Sequence, residues 1–225
     1  NVRQHCQQKY FKMKKKLLES GIVLRIKLNH NLGYSFAKVV NLTDFAKDDL
    51  SDTFHLIIYP YNYIVQNEND YKNEEFIKSE PLTGPLFVDH ILYEIKHGIY
   101  KVVDKVDLKP YEKRVPAFRG FSAMVYGKIH YYEDEATNWN YFERGRPFRR
   151  IVASYEQVKH LEDNDALSHE FVERRLTMEI LSRKGENIKD YYKLEDWTEL
   201  CVYYNMIYKT PFNTVSDKLK GIVKR

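Results

Sequence analysis

The chain has 225 residues with 36 Lys and Arg against 32 Asp and Glu, a net charge of +4. That balance is too even for a module that grips nucleic acid through bulk charge, and a hydrophobic share of 43% beside 30% charged residues excludes a disordered chain. The length suffices to bury about 70% of the unfolded surface, and no apolar run reaches the eighteen or so residues that a membrane span needs.

The distinctive feature is aromatic: 19 Tyr and 12 Phe. Aromatic and β-branched residues suit a pleated, half-buried surface, so the composition leans toward sheet. Tyrosine also buries a ring while its hydroxyl stays wet, which suits partner surfaces. Cys6 and Cys201 are the two cysteines. Lone and distant, they make neither a disulfide framework nor a zinc site, and they fit a reducing, cytoplasmic compartment.

In chain order, residues 1–20 form a basic terminal segment with Lys9, Lys12, Lys14, Lys15 and Lys16. Gly21–Leu28 alternates apolar and basic residues, and Tyr34–Leu42 follows after the turn signal Asn29-His-Asn-Leu-Gly33. Together they predict a β-hairpin. Polar Thr43–Thr53 reads as a loop or a short helical turn, and Phe54–Tyr59 as a third strand that Pro60 ends. Gln66–Glu80 is acidic and reads as a long surface loop, a kind of segment that often carries function. Beyond the turn at His97-Gly98, Ile99–Val106 alternates as a strand and Val115–Phe118 is extended. Ser122–Tyr132 reads as another strand with Gly127 as a bulge, and Pro147–Tyr155 as the last.

Helical spacing then takes over. Asp165 or Ser168 caps a helix over Leu167–Arg183, which Gly185 ends. Its apolar side is Phe171, Val172, Leu176, Met178, Ile180 and Leu181. Leu194–Tyr208 places Trp197, Leu200, Cys201, Tyr204 and Ile207 at helical spacing, with a strand over Cys201–Tyr208 as the competing reading. A short helix over Asn213–Val223 follows. The expected class is α+β: a twisted antiparallel β-sheet or SH3-like barrel in the N-terminal half, with a helix-rich C-terminal section packed on it. The divisions are a β-rich domain over 21–155 and a helical section over 156–225.

The residues carry little catalytic signal. His90 and His97 come nearest to metal spacing, but the chain has neither His-Glu-x-x-His nor paired Cys-x-x-Cys, so no metal and no cofactor are expected. Asp89, Glu94 and Lys96 superficially resemble the carboxylate–lysine set of metal-dependent nucleases. In such enzymes the Asp and the Glu-x-Lys come from separate strands, and this reading ranks third. Cys201 lies among apolar and aromatic neighbours, like a packed thiol. Arg144, Arg146, Arg149 and Arg150, interleaved with Tyr141, Phe142 and Phe148, could hold phosphates and stack bases. That is the second reading, a nucleic-acid-binding module.

Three segments carry a family pattern: Pro85-Leu-Phe-Val88, Gly98-Ile-Tyr-Lys-Val-Val103 and Pro116-Ala-Phe-Arg119. With the opening hairpin they resemble the immunity protein 26 family over roughly Ser20–Gly120. Tyr100 stands where that pattern has Trp. The resemblance implies a mostly-β, non-enzymatic immunity protein of a bacterial polymorphic toxin system, which binds and neutralises a cognate toxin. Under that reading the partner is a protein toxin, not nucleic acid or a membrane. If the toxin is basic, the acidic segment supplies the contact residues: Glu68, Asp70, Glu74 and Glu75, with Tyr63 and Tyr71 as anchors.

Overall fold

A computed structural model describes residues 19–44, 56–121, 124–125, 128–129, 139–143, 149–153 and 155–207. The hairpin forms as the alternation requires, with β1 (Ile22–Lys27) antiparallel to β2 (Tyr34–Asn41) and Leu24 opposite Ala37. Its turn ends at Gly33, where φ is +89° and an added Cβ would lie 2.1 Å from the Val65 carbonyl oxygen. Only glycine fits there. Next come β3 (Leu56–Val65), β4 (Leu86–Phe87) and β5 (Lys101–Lys105). The five strands lie in the order β4-β3-β2-β1-β5, every pairing antiparallel. Of the two expected forms, the strands make a row with β4 and β5 at its edges among the described residues.

Pro60 does not end the third strand. β3 runs ten residues and passes through it. Proline lacks the N–H that a ladder position donates. The Leu82 N–H donates to the Pro60 carbonyl at 2.9 Å, so the missing partner is the reciprocal bond to the Leu82 carbonyl. Arg183 fills that gap: its guanidinium donates to the Leu82 carbonyl at 2.7 Å and to the Pro81 carbonyl at 3.2 Å.

Both faces of the sheet are buried. On one, Leu24, Ile26, Ala37, Val39 and Ile58 meet Val172, Leu176 and Ile180 of a long helix (His169–Arg183). Each of the Val, Leu and Ile side chains contributes about 1.5–3 kcal/mol on burial. That helix starts at Ser168 and gives way to Gly185, whose φ of +76° suits the left-handed end. Its Met178 and Leu181 turn away from the sheet toward Val202 and Met206 of the helix Trp197–Ile207. Being covered on two sides explains why its apolar residues spread so widely. Asp196 caps the second helix by accepting from the Thr198 N–H at 2.9 Å. The helical reading therefore holds over Cys201–Ile207, and the competing strand does not form. On the opposite sheet face, Phe36, Tyr59, Tyr61 and Tyr63 pack with Phe76, Phe87 and Phe118.

In chain order the helices are α1 (Asn73–Lys78), α2 (Ile91–Lys96), α3 (Tyr155–Val158), α4 (His169–Arg183) and α5 (Trp197–Ile207). A second sheet has the order β10-β9-β6, from β6 (Ala117–Phe121), β9 (Trp139–Glu143) and β10 (Arg149–Ala153). β7 (Met124–Val125) and β8 (Lys128–Ile129) pair antiparallel with each other where one continuous strand was expected. The basic segment up to residue 18, Gly127 and the expected helix over 213–223 lie outside the described residues. Among the described residues, no helix is long and apolar enough to cross a membrane.

Candidate partner-binding surface

The acidic segment after β3 is not a loop throughout. The Asp70 N–H donates to the Asn67 carbonyl in a turn, and Asn73–Lys78 winds into α1 with Glu74 and Glu75 in its first turn. Acidic residues there oppose the positive end of the helix dipole. Phe76 locks α1 down. It is fully buried, with Tyr61 at 5.0 Å, Tyr71 at 5.8 Å and Tyr63 at 6.0 Å between ring centroids. Phe36 of β2 completes the cluster, 4.9 Å from Tyr71.

The six candidate residues divide by role. Tyr63 is buried, so its ring supports the segment from beneath and is not presented as an anchor. Its hydroxyl accepts the Lys72 N–H at 2.8 Å. Tyr71 is half-buried, packed on the cluster, and its hydroxyl donates to Asp104 of β5 at 3.0 Å. Burial first, then that bond and the Asp104 charge, push the phenol well above its usual range. Glu68, Asp70, Glu74 and Glu75 are exposed. Glu68 pairs with Arg25 of β1 and lies 4.0 Å from Lys101 of β5. Asp70 accepts from the Asn67 amide at 2.9 Å, and Glu75 pairs with Lys72 at 2.9 Å.

Asp70, Tyr71 and Glu75, with Val65, Gln66, Asn69 and Lys72, line an open concavity of about 530 Å³; Tyr63, Glu68 and Glu74 lie outside its lining. The surface thus combines a fixed aromatic floor with exposed carboxylates. Sequence reading missed the residues that hold it: Arg25, Asn73 and Asp104. Their signal is three-dimensional, because β5 reaches the sheet edge beside this segment only through its pairing with β1.

The other candidates fall elsewhere. Glu94 is buried and its carboxylate meets His169 of α4 at 2.9 Å, whereas Asp89 pairs with the neighbouring His90 at 2.7 Å. Among the described residues, no group of three His, Cys, Asp or Glu is placed to hold a metal ion. Tyr93 stacks on His97 with centroids 3.9 Å apart, which ties that histidine to its own helix. Arg149 and Arg150 belong to β10, paired in register with Glu143 and Phe142 of β9; Arg144 and Arg146 lie outside the described residues. Cys201 is half-buried, and burial followed by the nearby Asp165 charge raises its thiol, the opposite of an activated nucleophile.

Two buried ionic networks also escaped the sequence. Lys38 and Glu112, on either side of the aromatic face, pair at 3.0 Å with almost no exposure. Glu112 also accepts from the Tyr61 hydroxyl and from the Lys109 N–H. Between sheet and helices, Arg119 pairs with Asp163 at 3.0 Å, and Arg175 pairs with Glu162 at 3.1 Å and Glu179 at 2.8 Å. The second network ties the C-terminal section to β6.

Fold and surface together define an α+β domain with an antiparallel sheet buried on both faces and an acidic–aromatic rim at one edge. The family model of immunity protein 26 matches residues 19–129, just under half of the chain and the same stretch that carries the resemblance seen in the sequence. That span takes in the five-stranded sheet, α1 and the rim. No curated protein and no solved structure matches the chain. That match supports an immunity function in general.

Proposed function

We propose that the chain binds a cognate protein toxin and neutralises it by occlusion, without catalysing a reaction. The observation that carries this reading is the family match over the sheet and rim. The rim supports it as the contact surface: Tyr71 is fixed from below, Asp70 and Glu75 line a concavity, and Glu74 is exposed on the same helix turn as Glu75. An ordered aromatic beside exposed charge is the make-up of an anchor with a steering field. A basic toxin surface is its complement.

The test begins with a toxin encoded beside this chain. Purified toxin and chain are mixed and the complex is measured by calorimetry, alongside toxin activity. A saturable one-to-one complex that abolishes activity supports the reading. Activity lost in proportion to chain turnover, with no complex, would mean an enzyme that modifies the toxin. No binding and no protection would sink the reading altogether.

A further inference from the structure

A bulge in β5 sets up one carboxylate. Between Val23 and Leu24 the β1–β5 register shifts: Val23 faces Asp104 and Leu24 faces Val102, so Val103 is the extra residue. Bulges re-aim the side chains around them, and they concentrate at sheet edges and beside functional sites. Here the Asp104 carboxylate meets the rim. Oδ2 accepts from the Tyr71 hydroxyl at 3.0 Å and from the Asn73 amide, while Oδ1 accepts from the Lys105 N–H at 2.7 Å. Three donors on two oxygens is a dense set for a partly exposed carboxylate.

The Lys105 bond has a second consequence. The Val106 N–H donates to the Gly21 carbonyl at 2.9 Å, so it points toward β1. Successive residues of a strand alternate, hence the Lys105 N–H points outward, to the open side of β5. An unmet N–H on an edge strand is a template for pairing with another chain. Asp104 covers it. Exposed Lys101 and Lys105 flank the same edge. A second copy pairing antiparallel about Val103 would set Lys101 against Lys105, like charge against like.

We propose that Asp104 is the pin that holds the segment 66–78 on the sheet and closes the outer edge of β5, so that a partner at this rim is met by side chains and not by an added strand. Only the role of the rim in toxin contact rests on the function proposed above; the pin itself is a property of the free chain. Asn73 and Tyr71 are the two ends it grips. Gly98 to Lys101 and the bulge deliver it from the sheet side.

The experiment compares Asp104→Ala, Asp104→Asn and Tyr71→Phe in the full chain. Amide hydrogen exchange is followed at Lys72, Glu75 and Phe76 and through α4, and self-association is followed by sedimentation. Asp104→Ala should speed exchange of the three rim amides at least tenfold, leave α4 unchanged, and tighten self-association at least tenfold. Tyr71→Phe should speed the rim amides while self-association stays at the starting value, because the Lys105 N–H remains covered. Asp104→Asn, which keeps the shape and one acceptor, should fall between and carries the test if the alanine variant does not fold. Rim exchange within twofold of the starting chain, acceleration spread equally over α4, or unchanged self-association in Asp104→Ala would each overturn the proposal. A toxin that binds elsewhere would leave all these readouts as expected, so the two readings fail separately.

Discussion

Replacing Glu112 with Ala breaks a fully buried ion pair in the sheet half. Glu112 is fully buried and Lys38 is 1% exposed. With Glu112 gone, the Lys38 ammonium keeps the Asp107 carbonyl at 3.1 Å and the Tyr61 ring at 4.9 Å, but no opposite charge that the structure places in contact. Breaking one side of a buried pair costs about 3–5 kcal/mol, most of it the penalty of the stranded charge. The Lys109 N–H also loses its acceptor, while the Tyr61 hydroxyl retains Tyr111 at 3.1 Å. The loss should therefore be about 4 kcal/mol, or roughly 8–16 °C in Tm for a chain of this size. The double variant Lys38→Met, Glu112→Leu removes both charges and should cost only about 1–2 kcal/mol, chiefly the unmet Lys109 N–H. Urea unfolding reads both, as a fall in midpoint at constant m. A single variant that loses under about 1 kcal/mol, or a double variant as unstable as the single, would refute the reasoning.

Burial, reinforced by Glu170, raises the Glu173 carboxyl above its usual value despite His169, Lys27 and Arg174. An acid whose folded pKa exceeds its unfolded one costs stability at high pH, and the cost fades as pH falls through the folded value. Glu173→Gln should thus stabilise at pH 7 and lose that advantage by pH 4 in paired denaturation curves; a variant less stable at pH 7 than at pH 4, relative to the starting chain, would contradict this. Gly33→Ala meets both a left-handed backbone and the Val65 carbonyl at 2.1 Å. It should cost at least about 2 kcal/mol, since the strain alone is about 1–2, with thermal melting as the check. A near-neutral Gly33→Ala would show that the turn relaxes freely.

The hairpin and α4 were legible because their signals are local. Alternation fixes which face each of Val23, Leu24 and Ile26 takes, and Ser168 and Gly185 mark the helix ends within a turn. Pro60 misled because its usual meaning, a strand end, was overridden by a guanidinium arriving from Arg183, far along the chain. The acidic segment looked like pure surface because its charges outnumber its one buried anchor, Phe76. The acidic residues and Tyr71 could be named from sequence as a patch; that Tyr63 lies beneath it could not, since burial there comes from Phe36 and Phe76 in space. Trp139–Glu143 was missed as a strand because its five residues show no clean alternation, and its partners β6 and β10 lie on either side of it in the chain. Asp104 carried no signal at all. Its reach depends on a one-residue bulge, which a single sequence does not reveal.

The rim is the proposed toxin-facing surface. The most direct measurement is the association rate of the toxin encoded beside this chain with the starting protein and with Glu74→Lys, Glu75→Lys, in stopped flow at low and at physiological salt. Both residues are exposed on the first turn of α1, so reversal leaves the core intact. The association rate should fall on the order of tenfold or more at low salt, and the difference should shrink as salt screens the field. An association rate unchanged at low salt, with the complex still formed, would contradict the rim as the toxin-facing surface.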